Sequence, residues 1–483
     1  MGAVEGGKMN IPRYLAVGAV AIPSIALALS GTGCETTTPG GDAGTGEGGS
    51  ALTTIKIGAV FTQSPPTEGL AEVGQQLART LTIAKNELDR AFASANARVE
   101  FDIRDDKNKD DEGKRVTQAL IDGNVVGIIG AIGSGRSKEL YTVTKPAGLL
   151  QISPASTSPD FSSGEYQNGR TFYRTIASDV FQGAAAAAFA KSGPPAEGGG
   201  AATPCTKMAI VRLEGSYGQG VSNIVKQKFQ ADGGQIVYEG TVPDNDPGDK
   251  YAAKAQEVAD AIFAKAPADR PQCMVVALYE DSGAAVVTAF EKKREATPAV
   301  IADSFFYIGT DGVQSQQFID SCYATLGDPN SKNYAANRFF GTAPDTQPQT
   351  PQYTYFKDKY VAQFDPGATD APPYSANAFD AAILIALGAL QGGDVTDRAK
   401  VLAGTLEVSR GGSGVASYGP DRLALAVTAI VGGAKIKYQG ASGDVIFSDT
   451  GDVLSAQSIW RTVKRGTGYT FETIQRIPLS DLQ

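Results

Sequence analysis

Val125-Val126-Gly127-Ile128-Ile129-Gly130-Ala131-Ile132-Gly133-Ser134-Gly135-Arg136-Ser137 is the stretch that decides the fold class. Val125 to Ile129 carries no polar side chain, so it reads as a short strand covered on both faces, the pattern of a parallel sheet wrapped by helices. The glycines after it turn the chain into a short helix over Ser137–Thr144, ended by Pro146.

The same unit recurs on either side. Upstream, Ile55–Phe61 and Val99–Ile103 read as strands. Between them Leu70, Val73, Leu77, Leu81, Ala84 and Leu88 recur every three or four residues, one face of a helix. Val116, Ala119 and Leu120 give another helix face, and Leu149–Ser153 a fourth strand. The pattern pauses near Thr171–Ser178 and starts afresh. A helix covers Phe181–Lys191 and a Gly/Pro/Ala-rich loop 193–204. Strands then follow at Met208–Val211, Gln235–Tyr238, Met274–Leu278, Ala299–Ala302 with Phe305–Ile308, and Phe339–Thr342. Val221, Ile224, Val225 and Phe229 mark a helix between the first two. Residues 351–432 are mainly helical, with Phe379, Ile383, Leu384, Leu387 and Leu390 along one face. The end returns to strands around Ile446–Phe447 and Ile459–Val463. Alternating strands and helices make an α/β protein, and 483 residues exceed what one core holds. Open parallel sheets take ligands beyond the carboxyl ends of their strands. Two such sheets facing each other enclose a cleft that can close like a hinge.

Composition removes whole classes of function. The chain has no histidine, so catalysts of the Ser-His-Asp and Cys-His kinds and imidazole-bound zinc are excluded. Its four cysteines, Cys34, Cys205, Cys273 and Cys322, are too scattered for a metal cluster. A net charge of −9 and a pI near 4.9 argue against nucleic acid, which needs a basic patch.

Residues 1–33 read as an address. Lys8 and Arg13 precede an uncharged run, Tyr14–Leu29, and small residues then lead to Cys34. This resembles the lipobox of bacterial lipoproteins, with Gly31 where a leucine is usual. It implies acylation of Cys34 and a place in the periplasm or on the cell surface, lipid-anchored to a bacterial membrane. A plain signal peptide or an uncleaved anchor are the alternatives. Loss of residues 1–33 removes one net positive charge and leaves about −10. Residues 34–53, nearly free of apolar side chains, read as a flexible tether.

From about residue 55 to 475, the order and spacing of several phrases resemble the leucine/isoleucine/valine-binding protein family, the type I periplasmic solute-binding proteins of ABC transporters. The phrases are Ile55–Phe61, Asp105-Asp106, Ile128-Ile129-Gly130 with Ser134, Ile152-Ser153-Pro154-Ala155-Ser156-Thr157, Tyr217-Gly218-Gln219-Gly220, Gly309-Thr310-Asp311-Gly312, the helix Tyr374–Leu390, and Gly443-Asp444 to Gly451-Asp452. The resemblance implies two Rossmann-like lobes with parallel sheets joined by a three-crossing hinge, the crossings lying near 174–179, 342–347 and 446–453. Lobe 1 would be 54–176 plus 347–446, and lobe 2 would be 178–342 plus 452–483.

Ser134 follows a buried strand and opens a helix, where free N–H groups and the helix dipole favour an anion. The family uses this loop for a solute carboxylate; the plainer reading is a helix cap. Gly130 to Ser137 also imitates a nucleotide loop, but the lysine is missing. By resemblance, the Ala155 backbone and the Thr157 hydroxyl would bind the two charged ends of an amino acid. The alternative is a turn capped by Ser156 or Ser158. Tyr217 stands where the family places an aromatic against the solute. Asp311 can accept hydrogen bonds from a solute ammonium or cap the helix near Gln314. Tyr279 and Glu280 end a strand and would line the pocket. Asp105 to Asp111 lacks the glycine and final glutamate of a calcium loop and reads as a solvated turn. Cysteines outside the cytoplasm tend to pair. Cys205 and Cys273 each precede a strand, and in this fold those strands would be neighbours, so a bridge is expected; Cys322 could instead pair with Cys273. No cofactor or metal is called for.

The expected function is a receptor, not an enzyme, that closes on an amino acid or a related small polar solute and presents it to a transporter permease. A sensory receptor of the same fold, binding an amide, urea or aromatic acid, is the alternative. A nucleic-acid partner is not expected.

Overall fold

The computed structural model describes residues 52–64, 68–195, 202–244, 248–323, 335–466 and 468–482. The signal-like stretch, Cys34 and the tether as far as residue 51 lie outside them.

The first sheet is parallel throughout. Its strands are β1 (Thr53–Phe61), β2 (Ala97–Asp105), β3 (Gly127–Gly130), β4 (Leu150–Ser153) and β5 (Phe172–Arg174), in the spatial order β2-β1-β3-β4-β5. All four residues of β3 are buried, as an apolar run without alternation requires. Helices α1 (Glu68–Phe92), α2 (Asp110–Asp122) and α3 (Ser134–Thr144) connect these strands. The α1 periodicity has its physical meaning in the core, where Leu77, Leu81, Ala84 and Leu88 are buried.

After α4 (Asp179–Ser192) comes a second sheet. Its parallel part is β6 (Lys207–Leu213), β7 (Gln235–Val242), β8 (Cys273–Ala277), β9 (Phe306–Gly309) and β10 (Phe339–Pro344). Helices α5 (Ser216–Ala231), α6 (Gly248–Phe263), α7 (Glu280–Ala296) and α8 (Gln316–Tyr323) lie between these strands. The chain then returns to the first core with α9 (Pro351–Phe364), α10 (Ser375–Gln391), α11 (Arg398–Arg410), β11 (Ala416–Tyr418), α12 (Leu423–Val431) and β12 (Ile436–Tyr438). It ends in an antiparallel hairpin, β13 (Gln457–Arg465) and β14 (Gly468–Ile477), that extends the second sheet to the order β14-β13-β10-β9-β8-β6-β7. Trp460 of β13 is fully buried over β10, and a Cβ at position 341 would stand 2.0 Å from its ring, so Gly341 makes the space it fills.

Each sheet therefore has its own core. One apolar cluster joins β1–β5 to α1 and α9–α12; two others cover the two faces of the second sheet. The connecting segments are bound to one another. Ala177 and Val453 form a parallel bridge, and the Gln182 side chain donates to the Thr342 carbonyl at 2.7 Å. At their base Arg174, fully buried, pairs with Asp452 at 2.6 Å and donates to the carbonyls of Ser156 and Ser158.

Some local expectations fail for identifiable reasons. Ala299–Ala302 is not a strand: Pro298 immediately precedes the run and Ala299 adopts a positive φ of 71°, which a strand cannot contain. Ile446–Phe447 is outside any sheet, because the backbone there is satisfied by a side chain; Ser409 Oγ donates to the Val445 carbonyl and accepts from the Phe447 N–H. Helix α3 begins at Ser134 rather than Ser137, whose hydroxyl instead accepts from the Ala131 N–H.

Cys205 and Cys273 are joined by a disulfide, with Cys273 opening β8 beside β6; Cys322 is buried and takes no part in it. The bridge closes a sequence separation of 68 residues. Reducing it should lower the unfolding free energy by about 2–4 kcal/mol. Urea unfolding with and without reductant measures this, and an unchanged midpoint would refute it.

Candidate functional site

A pocket opens between the carboxyl ends of the two sheets, where an open α/β fold offers its loops. Its first wall comes from Leu70 and Val73 on α1, Ile132 and Gly133 between β3 and α3, Ser134 at the start of α3, Ala155 after β4, and Tyr374 ahead of α10. Its second wall comes from Tyr217 on α5, Tyr279 and Glu280 where β8 gives way to α7, and Asp311 and Gly312 after β9. With its open mouth the space is about 410 Å³.

Of the residues singled out in the sequence, Ser134, Ala155, Tyr217, Tyr279, Glu280 and Asp311 meet around this space. Ser134 Oγ accepts from the Ser158 N–H at 3.2 Å, which leaves its own hydrogen to donate. The first turn of α3 adds backbone N–H groups without intrahelical partners. Ser156 and Thr157 are not in the lining. The Ser156 hydroxyl is used internally, 2.8 Å from Ser137 Oγ and 3.2 Å from the Ile132 carbonyl. The Thr157 hydroxyl is buried near Asp179, without a partner at normal hydrogen-bond distance.

Asp311 is held from both sides of the cleft. The Tyr217 hydroxyl donates to one carboxylate oxygen at 2.7 Å, and the Tyr374 hydroxyl, from the first wall, donates to the other at 2.9 Å. Burial raises the Asp311 pKa, while these bonds, Tyr217 first, pull it back. The rings of Tyr217 and Tyr279 stack in parallel, centroids 5.1 Å apart. Gly312 donates its N–H to the Tyr217 oxygen at 3.0 Å, and a Cβ there would lie 2.4 Å from the Leu278 carbonyl and 2.8 Å from that oxygen. Gly312→Ala should therefore cost about 1–3 kcal/mol through overpacking. Thermal unfolding of the purified variant reads this, and an unshifted melting point would count against the tight approach.

Two residues at the site were not singled out. Tyr374 is a bulky side chain with φ 65°, an uncommon conformation that over-determined surroundings must hold; the preceding Pro372-Pro373 was the only local sign of a special turn. Asp179, at the start of α4, is fully buried, and neither carboxylate oxygen has a partner at normal hydrogen-bond distance. Burial first, then the nearby Asp311, raises its pKa well above the carboxylate range. In the sequence it looks like an ordinary first-turn acid after the capping Ser178. Among the described residues no cluster of metal-ligating side chains occurs, and no lysine or arginine lines the pocket.

The family model for the receptor family ligand binding region matches residues 78–464. The chain belongs to that family. It is 22% identical over 283 residues to the Leu/Ile/Val-binding protein BraC3 of Rhizobium johnstonii, a match covering 58% of this chain and 70% of that one. Among solved structures, the branched-chain amino acid substrate-binding protein LivJ of Streptococcus pneumoniae, in complex with isoleucine, superposes with a TM-score of 0.62 at 16% identity, over 87% of this chain and all of its own. A solute-binding protein from R. palustris, in complex with 4-hydroxybenzoate, gives 0.62 at 17% identity over 89% of this chain and 98% of that one. The fold of the receptor is that of the type I periplasmic binding proteins. Among the described residues no helix is long and apolar enough to cross a membrane.

Proposed function

We propose that this receptor is an extracytoplasmic solute-binding protein, without catalytic activity, that closes on a small amino acid and presents the closed form to an ABC transporter permease. The N-terminal stretch would supply export and, through Cys34, a lipid anchor. The lobes would be 54–176 plus 347–446 and 178–342 plus 452–483, turning about the crossings at Arg174–Asp179, Thr342–Gln347 and the segment before β13.

One observation carries this reading. Asp311 of the second lobe is hydrogen-bonded at 2.9 Å by Tyr374 of the first, across a pocket whose opposite side holds Ser134 and the amino end of α3. An ammonium would lie against Asp311. A carboxylate would lie against the Ser134 hydroxyl and the free N–H groups. Leu70, Val73 and Ile132 would take an apolar side chain. Closure removes water from these polar contacts and so strengthens each. Thr157 would stay beside Asp179 rather than touch the solute.

The stacked Tyr217 and Tyr279 keep an aromatic acid in view as the second reading, in transport or in sensing, as do the benzoate-type ligands of structural relatives. A thermal-shift screen over amino acids, short amides, urea and aromatic acids, followed by calorimetry, decides between them. A ligand at a hundred times its Kd stabilises by about 2.7 kcal/mol. Shifts with amino acids are expected; shifts confined to aromatic acids would overturn the amino-acid reading.

A further inference from the structure

Asp311 and Glu280 line the same pocket, yet their surroundings differ. Both oxygens of Asp311 accept from tyrosine hydroxyls. Glu280, the first residue of α7, is only 6% exposed, and no bond or ion pair joins its carboxyl to another side chain among the described residues. An acid in the first turn of a helix is ordinarily solvated and needs no further explanation. This one is enclosed. The charged groups that act on it are Asp281 on its own helix, Glu72 on α1 across the cleft and Asp311, all carboxyls. Tyr374 from the first wall and Tyr279 beside it are further titratable groups facing it. Two enclosed carboxyls, Asp311 and Glu280, thus line a space that, among the described residues, no basic side chain lines. A zwitterion with one ammonium answers Asp311 and leaves Glu280 without a cationic partner, so burial keeps its carboxyl protonated.

We propose that the solute is an amino acid bearing a second cationic group, held by the Glu280 carboxylate at the α1-facing end of the pocket. This rests on the amino-acid reading above and narrows it. In the empty pocket burial, with the neighbouring acids, pushes Glu280 up to about 8, so it holds its proton at neutral pH. An arriving cation favours the carboxylate. The proton passes from the Glu280 carboxyl to solvent, and the ion pair takes its place. Binding of such a solute therefore releases about one proton near pH 7, and its affinity rises with pH between about 6 and 8. A solute with one ammonium does neither through Glu280.

Calorimetry on the folded receptor with ornithine and 2,4-diaminobutyrate, against leucine and alanine, in two buffers of different ionisation enthalpy, tests this. The diamino acids should bind at least about tenfold tighter and show the proton release. Glu280→Gln should erase the preference, its loss for diamino acids exceeding its loss for leucine by about tenfold, while its melting point certifies the fold. Leucine binding as tightly as ornithine would overturn the inference and leave the amino-acid receptor standing. Equal losses for both solutes in Glu280→Gln would make Glu280 the anchor of the α-ammonium and also overturn it. Binding of no amino acid at all would overturn both.

Discussion

Arg174→Gln is expected to lower the unfolding free energy by about 3–5 kcal/mol, the cost of leaving one member of a buried ion pair alone. The guanidinium has no exposure, and Asp452 is 8% exposed. Arg174 Nε donates to Asp452 at 2.7 Å, and its terminal nitrogens reach the Ser156 and Ser158 carbonyls at 3.2 and 2.8 Å and Ser162 Oγ at 3.1 Å. Asp452 in turn accepts from Ser162 and Thr450 hydroxyls. A glutamine cannot span this fork, so two carbonyls and a carboxylate lose the guanidinium as a donor, without water to replace it. The double variant Arg174→Met with Asp452→Leu should cost less than Arg174→Gln alone, since it removes both charges together. Urea unfolding of the two variants gives the comparison; a double variant that is the less stable of the two would show that the pair itself is not the source. The same change reaches the site, because the Ser158 N–H that orients Ser134 belongs to the loop Arg174 fixes. Faster amide exchange over residues 155–158 is the expected sign, and unchanged exchange there would confine the effect to stability.

How much of this was legible in the sequence depends on whether a residue acts within its own element or across the chain. Strand β3 and helix α1 could be read directly, because burial on two faces or on one stripe imposes a local period. So could Ser134 and Asp311, which follow strands at the sheet's carboxyl edge, where this architecture exposes loops. The parallel pair β11–β12 could not: each strand is three residues long, too short to show a period. Ile446–Phe447 misled for the opposite reason, since apolar residues suggested a strand whose hydrogen bonds Ser409 takes instead. Tyr374 stands 63 residues from the carboxylate it bonds, and Asp179 is 132 positions before Asp311 in the chain. Nothing in their neighbours predicts those meetings. The first arises because the fold returns the chain to the first core after the second sheet is built, and the second because α4 starts at the passage into that sheet.

Asp311→Asn should weaken amino-acid binding by roughly ten- to a hundredfold, the about 1.5–3 kcal/mol of a hydrogen bond to a charged group, while leaving the empty receptor as stable or more so. Asparagine keeps the shape and an oxygen for Tyr217, and its amide can donate to the Tyr374 oxygen, so neither hydroxyl is orphaned. What disappears is the charge. Because burial raises the Asp311 pKa, the folded protein holds this proton more tightly than the unfolded chain does. The empty receptor therefore loses stability as pH rises from the ordinary carboxylate value through the raised one, and is most stable on this account below both. Removing the titratable group flattens that part of the stability–pH curve and relieves the cost at neutral pH. The negative charge is thus unfavourable for folding and favourable for holding an ammonium, a trade-off expected where function requires a buried charge. Melting curves from pH 4 to 8 and calorimetry on the same preparation separate the two effects. A variant that binds as tightly as the parent would remove Asp311 from the site. One that loses affinity together with several degrees of melting temperature would make its contribution structural.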